Sequence, residues 1–176
     1  EGEQKTHELG RVASWGPEIA VRGEWVACPV AVEPVSWTVN ERVALFPLSG
    51  GEPRLLAPTP DGRPYIVGWS ADGERVLVLE SSRVSSAVRE LPIDGSDSIV
   101  LLDGDGYVSA VDTNGKGAVS FVHEDVSDPN HVCLWRAGES TWRELANPVP
   151  TDWPADPVSR TEVLTWTSPD GLEIEG

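Results

Sequence analysis

Two glycine landmarks recur along this chain at nearly the same interval, and that interval restricts the fold more than any single motif does. Trp69-Ser-Ala-Asp-Gly73 precedes the apolar run Val76-Leu-Val-Leu79. Val111-Asp-Thr-Asn-Gly115 precedes Ala118-Val-Ser-Phe-Val122, which puts Gly115 42 positions after Gly73. Leu91-Pro-Ile-Asp94 leads to Gly95 and Leu134-Trp-Arg-Ala137 to Gly138, a repeat of 43. Phe46-Pro-Leu-Ser-Gly50 stands 45 positions before Gly95 as a looser copy. Self-similarity at roughly 40 to 45 residues, with several short strands per unit, is the sign of β-propeller blades. The expected fold is therefore all-β, built of blades of four antiparallel strands. It would be a partial propeller of about three to four blades.

The local pattern supports this. One blade is legible in Tyr65 to Trp69, Arg75 to Glu80, Ala87 to Ile93 and Ser98 to Leu102. Val76 to Leu79 is apolar at every position, so it should be buried on two faces, as an inner strand between stacked sheets would be. The next blade spans 107 to 146. A less regular one precedes it, with a hairpin from Glu18 to Val32 and outer strands at Arg42 to Leu48 and Arg54 to Leu56. Only Ser81 to Glu90 has any helical spacing, and it is short and serine-rich. Residues 147–161 open with four prolines in eleven positions, Asn147 to Pro157. Proline fixes φ and lacks a ladder donor, so this stretch reads as a stiff connector. The expected organisation is 1–146 propeller blades, 147–161 connector, and 162–176 a hairpin around Ser168-Pro-Asp-Gly171 that leads into a further domain. Leu172 and Ile174 would then pack to one side while Glu173 and Glu175 face solvent.

Composition narrows the function. The net charge is −16, with 29 acidic residues against 13 basic ones. Such a surface repels phosphate backbones and anionic headgroups, so neither nucleic acid nor membrane is an expected partner. No stretch offers the ~20 apolar residues of a membrane span. Methionine is absent, which suggests excision from a longer product. Cys28 and Cys133, the only thiols, fall in apolar runs of different repeats. They read as reduced, buried residues of a cytoplasmic protein rather than as a disulfide.

The candidate chemical motifs are weak. His123-Glu-Asp-Val-Ser-Asp-Pro-Asn-His131 gathers imidazoles and carboxylates, but its eight-residue gap lacks the helical spacing that presets a zinc site, so it reads as a loop joining two strands. Asp103-Gly-Asp-Gly106 has a calcium-loop flavour, yet Tyr107 and Val108 stand where a ligand and a turn glycine belong. Gly68-Trp-Ser-Ala-Asp72 brushes against the nucleophile-elbow pattern Gly-x-Ser-x-Gly, with Asp72 in place of the second glycine. Ser70 is thus a turn residue. No catalytic residue, metal ligand or cofactor site is assigned, and the eight tryptophans read as sheet packing.

The Ser-x-Asp-Gly turns, the period near 42 and the segment Val163-Leu-Thr-Trp-Thr-Ser-Pro-Asp-Gly-Leu-Glu-Ile-Glu-Gly176 resemble the prolyl oligopeptidase family of serine peptidases, nearest its acylaminoacyl-peptidase and dipeptidyl-aminopeptidase-like members. Ser120 to Asn130, with its Ser127-Asp-Pro129 loop, resembles that family's last blade. The resemblance implies a β-propeller followed by an α/β-hydrolase domain, with the propeller acting as a lid that admits short peptides. The family's catalytic Ser, Asp and His lie in the hydrolase domain, and none maps onto this sequence. The true dipeptidyl peptidases hold the substrate amine with adjacent glutamates, and no Glu-Glu pair occurs here. The implied partners are the chain's own downstream hydrolase domain and short peptide substrates. A TolB-like propeller that binds partner proteins without catalysis is the second reading. A metal-dependent propeller lactonase is a third, without a visible ligand set.

Overall fold

The computed structural model describes residues 6–14, 16, 18–35, 40–103, 106–125, 128–152 and 162–176. Three four-stranded antiparallel sheets follow one another along the chain. The first blade comprises β1 (Ala20–Arg22), β2 (Trp25–Ala31), β3 (Glu41–Pro47) and β4 (Arg54–Leu55). The second comprises β5 (Tyr65–Trp69), β6 (Arg75–Ser82), β7 (Ser85–Pro92) and β8 (Ile99–Leu102). The third comprises β9 (Tyr107–Thr113), β10 (Ala118–Glu124), β11 (His131–Arg136) and β12 (Arg143–Ala146). A separate two-stranded sheet pairs β13 (Thr165–Thr167) with β14 (Glu173–Glu175). No helix occurs among the described residues. The Ser81 to Glu90 stretch is a β-hairpin, with eight cross-strand pairs between β6 and β7 outweighing its weak helical spacing.

The repeat landmarks occupy equivalent turns. Gly73 and Gly115 close the turns between the first and second strands of their blades, at φ of 78° and 62°. Gly50, Gly95 and Gly138 follow the third strands at φ of 80°, 86° and 90°. Glycine is favoured there because a Cβ would strain the left-handed backbone. The periodicity also extends to irregularities. In β5 the pairing to β6 slips between Ile66 and Gly68, and in β9 the pairing to β10 slips around Ala110, 42 positions later. Such bulges increase local twist and bend the innermost strand.

Strand alternation decides which blades meet. Along β6, Val76 and Val78 enter one core with Ala27, Val43 and Leu45 of the first blade. Leu77, between them, enters a second core with Val119, Phe121 and Cys133 of the third. The unbroken apolar run thus serves two seams, each fully buried side chain adding about 1.5–3 kcal/mol. The outer face of the first blade, carrying Cys28, Ala44 and Phe46, is covered by Leu9 and its neighbours. There Ala31 donates its N–H to the Ala13 carbonyl at 2.7 Å. Pro29 lies two residues earlier on the same strand edge, beyond the short β1, so its missing N–H interrupts no ladder.

Polar links reinforce the seams. The Ser86 hydroxyl of β7 accepts from the Val108 N–H at 2.5 Å and donates to the Val108 carbonyl at 3.0 Å, closing both backbone groups of an inner-strand residue in the next blade. On the other face of the middle blade, Arg89 Nε lies 2.5 Å from Glu80 Oε1, whose side chain is fully buried. The contact is close but poorly aligned as a hydrogen bond, so it acts mainly through charge.

Replacing Ser86 by Ala should leave a buried N–H and carbonyl unsatisfied and cost about 2 kcal/mol. A urea titration of the two proteins measures this, and unchanged midpoints would contradict the assigned role of the bridge.

Candidate functional site

The turns joining first to second strands of the blades approach one another around Arg22, and a concavity lies beside them, between the second and third blades. It is a cleft of ≈ 160 Å³. The middle blade contributes Ser70, Asp72, Arg75 and Glu90, and the third contributes Thr113 and Trp135. The Ser-x-Asp-Gly turn explains the arrangement. Ser70 Oγ donates to Asp72 Oδ1 at 2.6 Å and accepts the Arg75 N–H at 3.0 Å, while Asp72 Oδ1 also accepts the Glu74 N–H. These bonds, the Ser70 hydroxyl first, hold the Asp72 carboxyl below the usual carboxylate range. The turn orients Arg75 between two acids, with Nη1 3.3 Å from Asp72 Oδ2 and Nε 3.6 Å from Glu90 Oε2. Burial pushes Glu90 upward, against the pull of Arg75.

One arginine of the first blade reaches the same turns. Arg22, at the end of β1, donates from Nη2 to the Ala71 carbonyl at 2.7 Å. A Cβ on Gly73 would lie 3.4 Å from its Nε, and one on Gly115 3.5 Å from its Nη1. The guanidinium therefore sits against turns of both following blades, tying the three inner strands together at one end. The cleft thus has apolar walls, two carboxylates and one bridging cation. That set suits binding. The Ser70 hydroxyl is engaged within its own turn, by Asp72 and by the backbone of Arg75. The same geometry recurs at Ser168, whose Oγ is bonded to Asp170 and to the Leu172 carbonyl.

The other motifs fall elsewhere. His123 and His131 are cross-strand partners in β10 and β11, with ring centroids 5.2 Å apart. Trp142 lies against the two imidazoles at 5.1 and 5.9 Å and meets Phe121 edge-on at 5.8 Å. His131 is buried, with Nδ1 3.0 Å from the Pro129 carbonyl and 3.7 Å from Asp128 Oδ2. Among the described residues no group of three or more His, Cys, Asp or Glu is placed to hold a metal. Gly104, Asp105, Val126, Ser127 and 153–161 lie outside the described residues, so the calcium-like loop, the Ser-x-Pro loop and most of the connector are not placed. Cys28 and Cys133 are free and buried in the first and third blades. Burial, with Glu144 and Asp128 adding to it, pushes the Cys133 thiol up to about 11. Trp69 packs in a seam, as the packing reading expects, whereas Trp166 of β13 is 51% exposed.

No protein family model matches the chain, and no curated protein matches it. Solved structures do. The AtxE2 isopeptidase with Astexin3-dC4 bound superposes with a TM-score of 0.70 at 14% identity, covering 93% of this chain and 25% of that one. Its apo form gives 0.68 with the same coverage. TolB from Acinetobacter baumannii gives 0.57 at 10% identity, over 73% of this chain and 32% of its own. The chain thus spans about a quarter to a third of the proteins it resembles. The fold is β-propeller-like, and at these identities the likeness extends to fold alone.

Because its folded-state pKa is raised above the ordinary 4.5, Glu90 contributes stability that is full below that value and is lost as pH rises through the folded value. The stability of the parent relative to a Glu90→Gln variant should therefore fall as pH is raised from below 4.5. Asp72 acts in the opposite sense in both proteins and cancels in the difference. Urea midpoints at a series of pH values provide the check, and a gap independent of pH would contradict the reading.

Proposed function

We propose that this chain is a propeller segment of a serine peptidase, serving as the lid over a downstream α/β-hydrolase domain that cleaves short peptides. The carrying observation is coverage. The likeness to the isopeptidase runs over 93% of the chain, whereas that to TolB runs over 73%. The hairpin around Ser168-Pro-Asp-Gly171 is the same segment whose sequence resembles the junction of the prolyl oligopeptidase family. In this reading the catalytic Ser, Asp and His belong to the downstream domain. The blades contribute a wall: seams closed by packing, and inner turns drawn together by Arg22, exclude folded proteins. The exposed Trp166 and Leu172 of the hairpin would pack against the hydrolase domain. The charge of −16 disfavours nucleic acid and anionic membranes as partners, and the buried reduced thiols suit a cytoplasmic setting.

The second reading is a TolB-like propeller that binds partner proteins without catalysis. It is favoured by the likeness to TolB over 73% of the chain and by a cleft between two blades.

A fluorophosphonate probe, which labels activated serines, distinguishes the two. Applied to the complete product of the gene, it should label one serine beyond Gly176, while the 176-residue chain stays unlabelled and does not hydrolyse amino-acyl or ester substrates. No labelled serine in the complete product would contradict the peptidase reading. Labelling of the chain that disappears with Ser70→Ala would show that the turn at Ser70 had been misassigned.

A further inference from the structure

Arg83 and Val84 form the two-residue tip of the β6–β7 hairpin, between the paired Ser82 and Ser85. Arg83 has a φ of 57°, while Val84 is not among the positive-φ residues. Positive φ at the first central position alone matches a type II′ turn, where glycine fits without a penalty. An arginine there carries backbone strain that its own blade does not require.

Its side chain is used elsewhere. Nη2 lies 3.2 Å from Glu173 Oε1 and Nη1 3.3 Å from Glu175 Oε1, across separations of 90 and 92 residues. Glu173 and Glu175 alternate on β14 and so share one face of the hairpin. The expectation that both face solvent holds for Glu173, whose side chain is 63% exposed, and is corrected for Glu175, which is only 19% exposed; the two form a fork on Arg83. Among the described residues, every side-chain hydrogen bond or ion pair that joins the β13–β14 hairpin to a blade runs to Arg83. Trp166 and Ile174 pair on the opposite face, and Leu164 and Leu172 share it by alternation. Trp166, Leu164 and Leu172 are all exposed.

We propose that Arg83 is a latch that docks the hairpin on the tip of the middle blade by its acidic face, with its apolar face turned outward. This stands apart from the peptidase reading, since it uses only residues of this chain. Exposed ion pairs are individually weak and screened by salt, so the latch is releasable by design of its chemistry.

Amide hydrogen exchange on the chain tests it, reading the bonded N–H groups of Leu164, Ser168, Gly171 and Gly176 against those of β6 and β7. In Arg83→Gly the hairpin amides should exchange about fivefold faster, while β6 and β7 amides are unchanged or slower because the turn strain is relieved. About 1 M salt should give the same acceleration in the parent. The double variant Glu173→Gln, Glu175→Gln leaves the turn untouched and decides the matter if Arg83→Gly perturbs the blade. Hairpin exchange that is unchanged in both variants, or already unprotected in the parent at low salt, would overturn the proposal.

Discussion

A four-stranded blade with two apolar faces cannot satisfy both from within, and the middle blade of this chain makes that constraint visible. Val76 and Val78 face one neighbour, Leu77 the other, all from one strand in which no polar residue interrupts the run. The first and third blades each bury one face against this strand and its partner β7. Removing either neighbour would expose roughly half of the middle blade's apolar side chains, at a cost of about 1.5–3 kcal/mol for each fully buried one. The stacking of the blades is therefore a condition for the folding of each, as in other repeat architectures.

The polar groups are arranged around these seams. Ser86 closes the backbone of Val108 in the next blade, Arg22 reaches the turns of two following blades, and the Glu80–Arg89 pair is enclosed on the face toward the first core. The Glu80–Arg89 pair lies within the middle blade, whereas Arg22 spans exposed turns of neighbouring blades and Ser86 sits where a loosened seam would leave the buried N–H and carbonyl of Val108 without a partner, which costs more than the bond contributes when made. The links of Ser86 and Arg22 penalise misalignment between blades and so keep the candidate cleft at one width. The cleft is a consequence of this geometry: the Ser70 turn fixes Arg75 between Asp72 and Glu90, and the third blade supplies the facing wall.

Much of the fold was legible in the chain because propeller blades repeat their turns, and turns need particular residues. Gly73, Gly95, Gly115 and Gly138 mark left-handed backbone at equivalent places, so the spacing read as blades before any strand was assigned. The first blade was harder to read. Gly23 closes its first turn at φ of 56°, but it lies 50 positions before Gly73 because longer connections separate its strands. Of the site, the Ser70 turn was legible as local chemistry. Arg22 and Arg83 were not, because their partners lie dozens of residues away and neither position carries a pattern of its own. The weak helical spacing of Ser81 to Glu90 carries no helix, because its polar residues answer to a hairpin and a buried ion pair rather than to a solvent-facing helix side.

The dependence of the blades on their shared middle strand is tested most directly at Cys133, which is buried in the seam between the second and third blades. With Cys28 replaced by Ser, pulsed thiol labelling of Cys133 and far-UV ellipticity can be followed through the same urea titration. If the seams hold the blades as one cooperative unit, the thiol becomes reactive at the same midpoint at which the sheet signal is lost. Labelling of Cys133 in an earlier, separate transition, with most of the sheet signal retained, would show that the third blade leaves while the others persist, and would contradict the account.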